Sequence, residues 1–207
     1  MPSEKVYYEV KSDEKSLKQV QHLFDYDPFF HKMMFESKFE RLASILLDDA
    51  VVGKNMQYFN KPPGISKATP PHQDGYYFMI EPNEAVTMWL ALEKVDEENG
   101  SVRYVRGSHQ KGLRPHGRTN VLGFSQGIAD FGNEEDLANE VYHSLELGDL
   151  LAHHSLTIHW ADRNSSVNRN RKALGFIYYA QKAIEHSKAH SEYQKKLAGE
   201  LERKSMI

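Results

Sequence analysis

Between residues 51 and 180 the chain alternates short apolar runs with clusters of turn-forming residues. Val51 to Asn60, Val86 to Leu92, Ser101 to Arg106, Leu150 to His154 and Lys172 to Ala180 are rich in β-branched and aromatic residues and read as strands. Lys61-Pro-Pro-Gly64, Glu81-Pro-Asn-Glu84, Asp96-Glu-Glu-Asn-Gly100 and Glu146-Leu-Gly-Asp149 read as the turns between them. Leu113 to Ile128 is Gly-rich and aperiodic, which predicts a long loop, and Asn133 to Ser144 predicts a short acidic helix. Upstream the texture is different. After a short strand at Lys5 to Val10, the apolar residues Leu17, Val20, Leu23 and Phe24 recur at helical spacing across Lys11 to Phe24. Asp27-Pro28 has the form of a helix start, and Ser37-Lys-Phe-Glu40 that of a capping box opening a helix that buries Phe39, Leu42, Ala43 and Leu46.

Many short strands punctuated by turns predict a β-sandwich or jelly roll with a cavity between its sheets. The expected organisation is one domain over 1–207: a mostly helical flank at 1–50 covering one sheet, a jelly-roll core at 51–180, and a Lys/Glu/Ala-rich helical tail at 181–207.

Composition narrows the function classes. The chain has no cysteine, which excludes disulfides, thiolate zinc sites and cysteine nucleophiles. A formal net charge of −3 gives no electrostatic case for nucleic acid or an anionic membrane. No apolar run approaches the length of a bilayer span. Met1-Pro-Ser-Glu-Lys5 lacks the features of a secretory signal, so a cytoplasmic address and a small-molecule partner are the expectation.

Candidate chemistry centres on Thr69-Pro-Pro-His-Gln-Asp-Gly75. In an extended segment His72 and Asp74 point to the same face, which supplies two members of a 2-His-1-carboxylate iron site. With 11 His and 29 acidic residues, one such pair also arises by chance, as a polar strand end. A third ligand is available downstream in His153-His-Ser-Leu-Thr-Ile-His159, where His153, His154 and His159 compete. His153 and His154 face opposite sides of their strand, so at most one reaches the cavity. Arg171 opens an otherwise apolar strand, a setting that calls for a buried anion, and its planar fork suits a carboxylate; nearby Arg169 is the alternative.

In order, Lys61-Pro-Pro, His72-Gln-Asp74, Asn99-Gly-Ser-Val with Arg106-Gly-Ser-His109, Gly148-Asp149, and His154-x4-His159 followed by Arg171-Lys-Ala resemble the phytanoyl-CoA dioxygenase family of Fe(II)/2-oxoglutarate oxygenases. The resemblance spans roughly Val6 to Ala180. It implies a cupin-like double-stranded β-helix (jelly roll), mainly β with flanking helices. It implies Fe(II) held by His72, Asp74 and His159, the second histidine of the His-x4-His pair. Arg171 would clamp the distal carboxylate of 2-oxoglutarate, with Trp89, Gln57 and Lys18 as further co-substrate contacts. The implied reaction consumes O2, releases succinate and CO2, and hydroxylates a small molecule. Related halogenases lack the carboxylate ligand, so Asp74 argues for hydroxylation or a similar oxidation.

Three departures stand out. Ala161 occupies a position where the family commonly has serine, Arg106 replaces a turn proline, and the chain starts after the family's usual first helix and strand. A missing strand exposes a sheet edge that a second copy could cover, so a homo-oligomer is among the expectations. Two other readings stay open: a metal-binding jelly roll without catalysis, and a cupin-type metalloenzyme that does not use 2-oxoglutarate. Tyr76, Tyr77, Phe78, Arg103 and the Leu113–Ile128 segment are the candidate mouth of the site. Gly112, Gly117, Gly123 and Gly127 would let that segment move as a lid, and His109 and His116 read as surface or supporting groups. A fatty acyl-CoA, an amino-acid derivative and a secondary metabolite all remain open as substrate.

Overall fold

The fold was described from a computed structural model, which covers residues 1–121, 124–186 and 195. In chain order the strands are β1 (Val6–Tyr8), β2 (Leu17–Val20), β3 (Val51–Asn60), β4 (Thr69–His72), β5 (Ile80–Glu81), β6 (Ala85–Ala91), β7 (Val102–Val105), β8 (His116–Val121), β9 (Phe124–Ile128), β10 (Glu140–Tyr142), β11 (Leu150–His154), β12 (His159–Ala161), β13 (Lys172–Ala180) and β14 (Ile184–Glu185). The α-helices are α1 (Pro28–Phe35), α2 (Lys38–Leu47), α3 (Asp74–Phe78) and α4 (Glu134–Ala138).

An antiparallel sheet ordered β1-β2-β3-β13-β6-β11 faces a smaller one ordered β10-β7-β12-β4. The architecture is a jelly roll, mainly β, as the strand-and-turn pattern predicts. Alternation along the long strands sets its two layers. Met56, Val86, Met88, Leu174, Phe176 and Tyr178 turn outward from the large sheet to meet Met34, Phe39, Ala43 and Leu47 of α1 and α2. Trp89, Ala91 and Ala173 turn inward to meet Val102 and Tyr104 of the small sheet. The helices start where their caps predict: the Asp27 carboxylate accepts from Phe29 N–H with Pro28 in the first turn, and Ser37 Oγ accepts from Phe39 N–H. On α2 the inward positions are Phe39, Ala43 and Leu47, whereas Leu46 faces solvent.

Several expectations are corrected. The segment Lys11 to Phe24 is not a helix. Its centre is β2, which pairs with β1 and with the end of β3 (Gln19 opposite Phe59, Val20 opposite Tyr58). Two strands of the flank at 1–50 thus extend the large sheet, because ladder hydrogen bonds outweigh a weak helical spacing. Leu113 to Ile128 is not a structureless loop. It holds the hairpin β8–β9, laid against β4 so closely that a Cβ on Gly127 would lie 3.2 Å from Pro71 O. Gly127, one of the glycines that suggested a loop, permits this approach. The expected acidic helix is shortened to α4 and gives way to β10. Of the tail expected to be helical, residues 181–186 form a turn and β14, which pairs with β5. Residues 187–194 and 196–207 lie outside the described residues, as does Gly123.

Candidate active site

The first two candidate ligands straddle a strand end. His72 closes β4, Gln73 is still extended, and Asp74 is the first residue of α3 rather than a strand residue. Gly75 fits closely behind it: a Cβ there would lie 2.4 Å from Asn83 Oδ1, so the Asn83 amide would have to move. The third ligand arrives by strand pairing: β12 runs antiparallel to β4 with His159 directly opposite His72. The rings are 4.1 Å apart. Asp74 Oδ1 lies 3.5 Å from His72 Nε2 and 3.7 Å from His159 Nε2. One ligand atom from each residue fits within 4.8 Å of the others.

Both rings are oriented by their own backbone. His72 Nδ1 lies 2.8 Å from Pro70 O, and His159 Nδ1 lies 3.0 Å from Thr157 O. A carbonyl can only accept, so each Nδ1 carries a proton, which leaves each Nε2 as the nitrogen that can offer a lone pair to a metal in the cavity. Burial, reinforced by the neighbouring His72 and His153, holds His159 well below the usual histidine range, which keeps it neutral. Burial alone would raise the Asp74 carboxyl. The surrounding imidazoles of His159, His153 and His72 outweigh it and hold the carboxyl well below the usual range. Two imidazoles and a carboxylate converging on one point are a donor set suited to Fe(II).

The outer oxygen of Asp74 is held from the large sheet. Thr87 Oγ1 on β6 donates to Oδ2 at 2.6 Å, and His153 Nε2 on β11 lies 3.3 Å from it. His153 therefore turns inward. His154 turns away, with Nε2 3.7 Å from the Glu84 carboxylate and its ring 5.9 Å from that of His109. Tyr104 on β7 completes the wall, its hydroxyl 3.3 Å from His153 Nδ1. Burial, then the charge of Asp74, pushes that phenol above its ordinary range.

A cationic floor lies beside this cluster. Arg171 immediately precedes β13 and is 5% exposed. Its backbone exchanges hydrogen bonds with Lys61 at 3.0 and 3.2 Å. Its guanidinium stacks 5.0 Å from the Trp89 ring centroid, and its Nε has no hydrogen-bond partner. Among the described residues no carboxylate pairs with it, and burial pulls it down to about 10. Lys61 is also buried, donates to Lys67 O at 2.6 Å, and is held well below its ordinary value by burial and by Arg171. Lys18 is buried with its ammonium 3.3 Å from Glu9. Its neighbour Gln19 is the residue that reaches Gln57, at 2.5 Å. Arg169 pairs with Asp96 and Glu98 instead.

At the mouth, Tyr76 stacks on His116 (4.2 Å between centroids), and Tyr77 sits edge-on to His72 while its hydroxyl donates to Gln126 O of the hairpin at 2.6 Å. His116 Nε2 accepts from the backbone N–H of Gln73, the residue between the ligands; burial lowers its proton affinity. Gln73 is itself fully buried and bonds Gly112 O, Leu156 O and Arg114 N–H. Two candidates are corrected. Arg103 faces outward, where Glu97, Glu140 and Asp162 share its guanidinium, and Phe78 packs in the core against Tyr179. Thr87, Tyr104 and Gln19 went unnoticed in the sequence. Strict alternation carries the signal for the first two: it places Thr87 on the face of Trp89, and Tyr104 inward if Arg103 is outward.

A family model described as Phytanoyl-CoA dioxygenase (PhyH) matches residues 2–173. A phytanoyl-CoA dioxygenase of Arabidopsis thaliana is 31% identical over 166 residues, covering 78% of this chain and 57% of that protein, so the chain spans little more than half of that relative. Among solved structures, the carbocyclase SnoK from nogalamycin biosynthesis, described as non-heme and alpha ketoglutarate dependent, superposes with a TM-score of 0.72 at 22% identity, covering 88% of this chain and 72% of that one. The epimerase SnoN, in complex with Fe3+, alpha ketoglutarate and nogalamycin RO, gives a TM-score of 0.69 at 23% identity, with coverage of 81% and 64%. These likenesses carry the fold. Among the described residues no helix is long and apolar enough to cross a membrane.

Proposed function

The chain belongs to the phytanoyl-CoA dioxygenase family, and on that premise we propose that it is an Fe(II)- and 2-oxoglutarate-dependent oxygenase that hydroxylates a small molecule. The observation that carries the proposal is the pair of histidines whose protons are committed to backbone carbonyls, leaving two Nε2 lone pairs and Asp74 Oδ1 aimed at one point. Iron and 2-oxoglutarate, when bound there with O2, supply the oxidising chemistry: the keto acid leaves as succinate and CO2 while a substrate C–H bond is oxidised.

The chain's own groups bind, orient and exclude water. His72, Asp74 and His159 hold the metal. Arg171 receives the distal carboxylate of 2-oxoglutarate, since a buried guanidinium with an idle N–H matches an anion that the resting protein does not provide. Trp89 backs that guanidinium, Gln57 adds polar groups to the same inner sheet face, and Lys18 and Lys61 add positive charge around it. The apolar pack of Ala91, Val102 and Ala173 keeps water out. Tyr76, Tyr77 and His116 form the rim where a substrate would enter. Hydroxylation is the outcome favoured here because Asp74 occupies the carboxylate position. Epimerase and carbocyclase are printed descriptions of neighbours with the same fold, so the product is the part to be measured.

The test is 2-oxoglutarate turnover by the purified protein across a panel of small molecules, scored by succinate and by product mass. Expected are an Fe(II) requirement, loss on chelation, loss in Asp74→Ala, and an increase of 16 mass units in one substrate. Turnover that persists unchanged in iron-free protein, or in Asp74→Ala, refutes the proposal.

A further inference from the structure

Asp74 can serve a metal with one oxygen or with two, and the choice matters. Three single-atom ligands leave half of an octahedral shell open, whereas a carboxylate that uses both oxygens closes one of those positions. The structure holds the two oxygens apart by unlike contacts. Oδ1 faces His72 Nε2 and His159 Nε2. Oδ2 faces away, toward Thr87 Oγ1 and His153 Nε2.

His153 is anchored in turn. It is 7% exposed on β11, the edge strand of the large sheet, and its ring packs 4.2 Å from that of His159. A carboxylate oxygen can only accept, so the Nε2 facing it carries the proton and Nδ1 must accept. Among the described residues the donor at Nδ1 is the Tyr104 hydroxyl, 3.3 Å away. Tyr104 comes from β7 of the opposite sheet and is 8% exposed. The tautomer needed to hold Asp74 is therefore set by a phenol that touches no candidate metal ligand by hydrogen bond.

We propose that Tyr104 and His153 form a positioning pair that fixes Asp74 Oδ2, so that a metal bound between His72, Asp74 and His159 meets Oδ1 alone. The pair links one strand of each sheet to the ligand carboxylate, and so couples closure of the sandwich to the form of the site. Neither residue is a catalytic residue: both act through Asp74. The inference rests on the metal-site reading above, and its experiment separates the two.

The experiment measures Mn(II) affinity by electron paramagnetic resonance and the visible spectrum of the Co(II)-loaded protein, for wild type, Tyr104→Phe, His153→Gln, His153→Phe and the Tyr104→Phe/His153→Phe double variant. His153→Phe is expected to weaken Mn(II) binding by about 10- to 100-fold and to alter the Co(II) bands. His153→Gln, whose amide can still donate to Oδ2, is expected to recover most of that loss. Tyr104→Phe keeps the ring and loses only the hydroxyl, so a loss of a few-fold is expected. The double variant is expected to be no weaker than His153→Phe, because Tyr104 works through His153. Additive losses, or a Tyr104→Phe protein with wild-type affinity and spectrum, overturn the pair even if His153→Phe fails to fold. Wild type that binds metal with every variant unaffected overturns the pair alone. Wild type that binds no divalent metal overturns the pair and the metal-site reading together.

Discussion

Arg171→Met should make the resting protein more stable and its co-substrate binding far worse. The guanidinium is 5% exposed and no carboxylate pairs with it among the described residues. Burial draws it from 12.5 to about 10, a penalty on the charged form of about 3 kcal/mol at 1.36 kcal/mol per pKa unit. Stacking on Trp89 at 5.0 Å returns about 2 kcal/mol in a desolvated site. Methionine keeps most of the apolar stem and its contact with the indole while removing the charge. The net expectation is a gain of about 1 kcal/mol in the metal-free, co-substrate-free protein, or a rise in Tm of roughly 2–4 °C for a chain of this size. Binding of 2-oxoglutarate should move the opposite way. Two charge-assisted hydrogen bonds at about 1.5–3 kcal/mol each correspond to a loss of roughly 100-fold or more in affinity. Thermal unfolding of the stripped protein reads the first quantity, and anaerobic calorimetry of 2-oxoglutarate with Mn(II)-loaded protein reads the second. A variant that melts several degrees below wild type, yet binds 2-oxoglutarate as wild type does, would refute the reasoning and make Arg171 a structural cation.

Three further outcomes are expected. His72→Ala and Asp74→Ala should each lose Mn(II) binding by at least about 100-fold while unfolding cooperatively in urea, since each removes one of three converging donors. Lys61→Met should stabilise the protein at neutral pH, because an ammonium pulled well below its ordinary value by burial is costly to keep charged. The sign is fixed by linkage: the folded group binds its proton more weakly than the unfolded one, so the cost is present at neutral and lower pH and disappears as pH rises through the unfolded value near 10.4. Urea midpoints for the two proteins should accordingly converge above about pH 10, and a constant difference would count against burial as the cause. Gln73→Leu should cost about 3 kcal/mol or more, by leaving Gly112 O, Leu156 O and Arg114 N–H without their buried partner; a urea midpoint equal to wild type would show that water replaces the amide.

The strands that build the site were legible because their apolar runs are bounded by turn residues: β6 and β13 are buried on both faces, and the half-buried β3 and β11 also fall where those runs predict them. The triad was legible too, through His72-Gln-Asp74 and His159, since ligand chemistry leaves residues that core packing does not ask for. What escaped was set by neighbours remote in sequence. β2 looks helical by spacing and becomes a strand because β1 and the end of β3 complete its ladder. The β8–β9 hairpin hid in a Gly-rich stretch in which Gly127 serves close packing against β4. Arg103 reads as part of the mouth by its position, while Tyr104, one residue on, is the side chain that alternation turns inward. From the sequence His153 reads only as a possible ligand. Its place beside Asp74 Oδ2 depends on how the edge strand β11 registers on β6 (His153 opposite Thr87), which no local pattern encodes.

The backbone acceptors of His72 and His159 have one more consequence. Pro70 O and Thr157 O belong to the main chain, so no point substitution can delete them. The orientation of both imidazoles is insulated from the composition of the surrounding wall. A rim residue such as Tyr76 can be exchanged for another without deleting either backbone acceptor. A scaffold arranged this way separates the grip on a metal from the choice of what is brought to it, and lets the second vary while the first stays fixed.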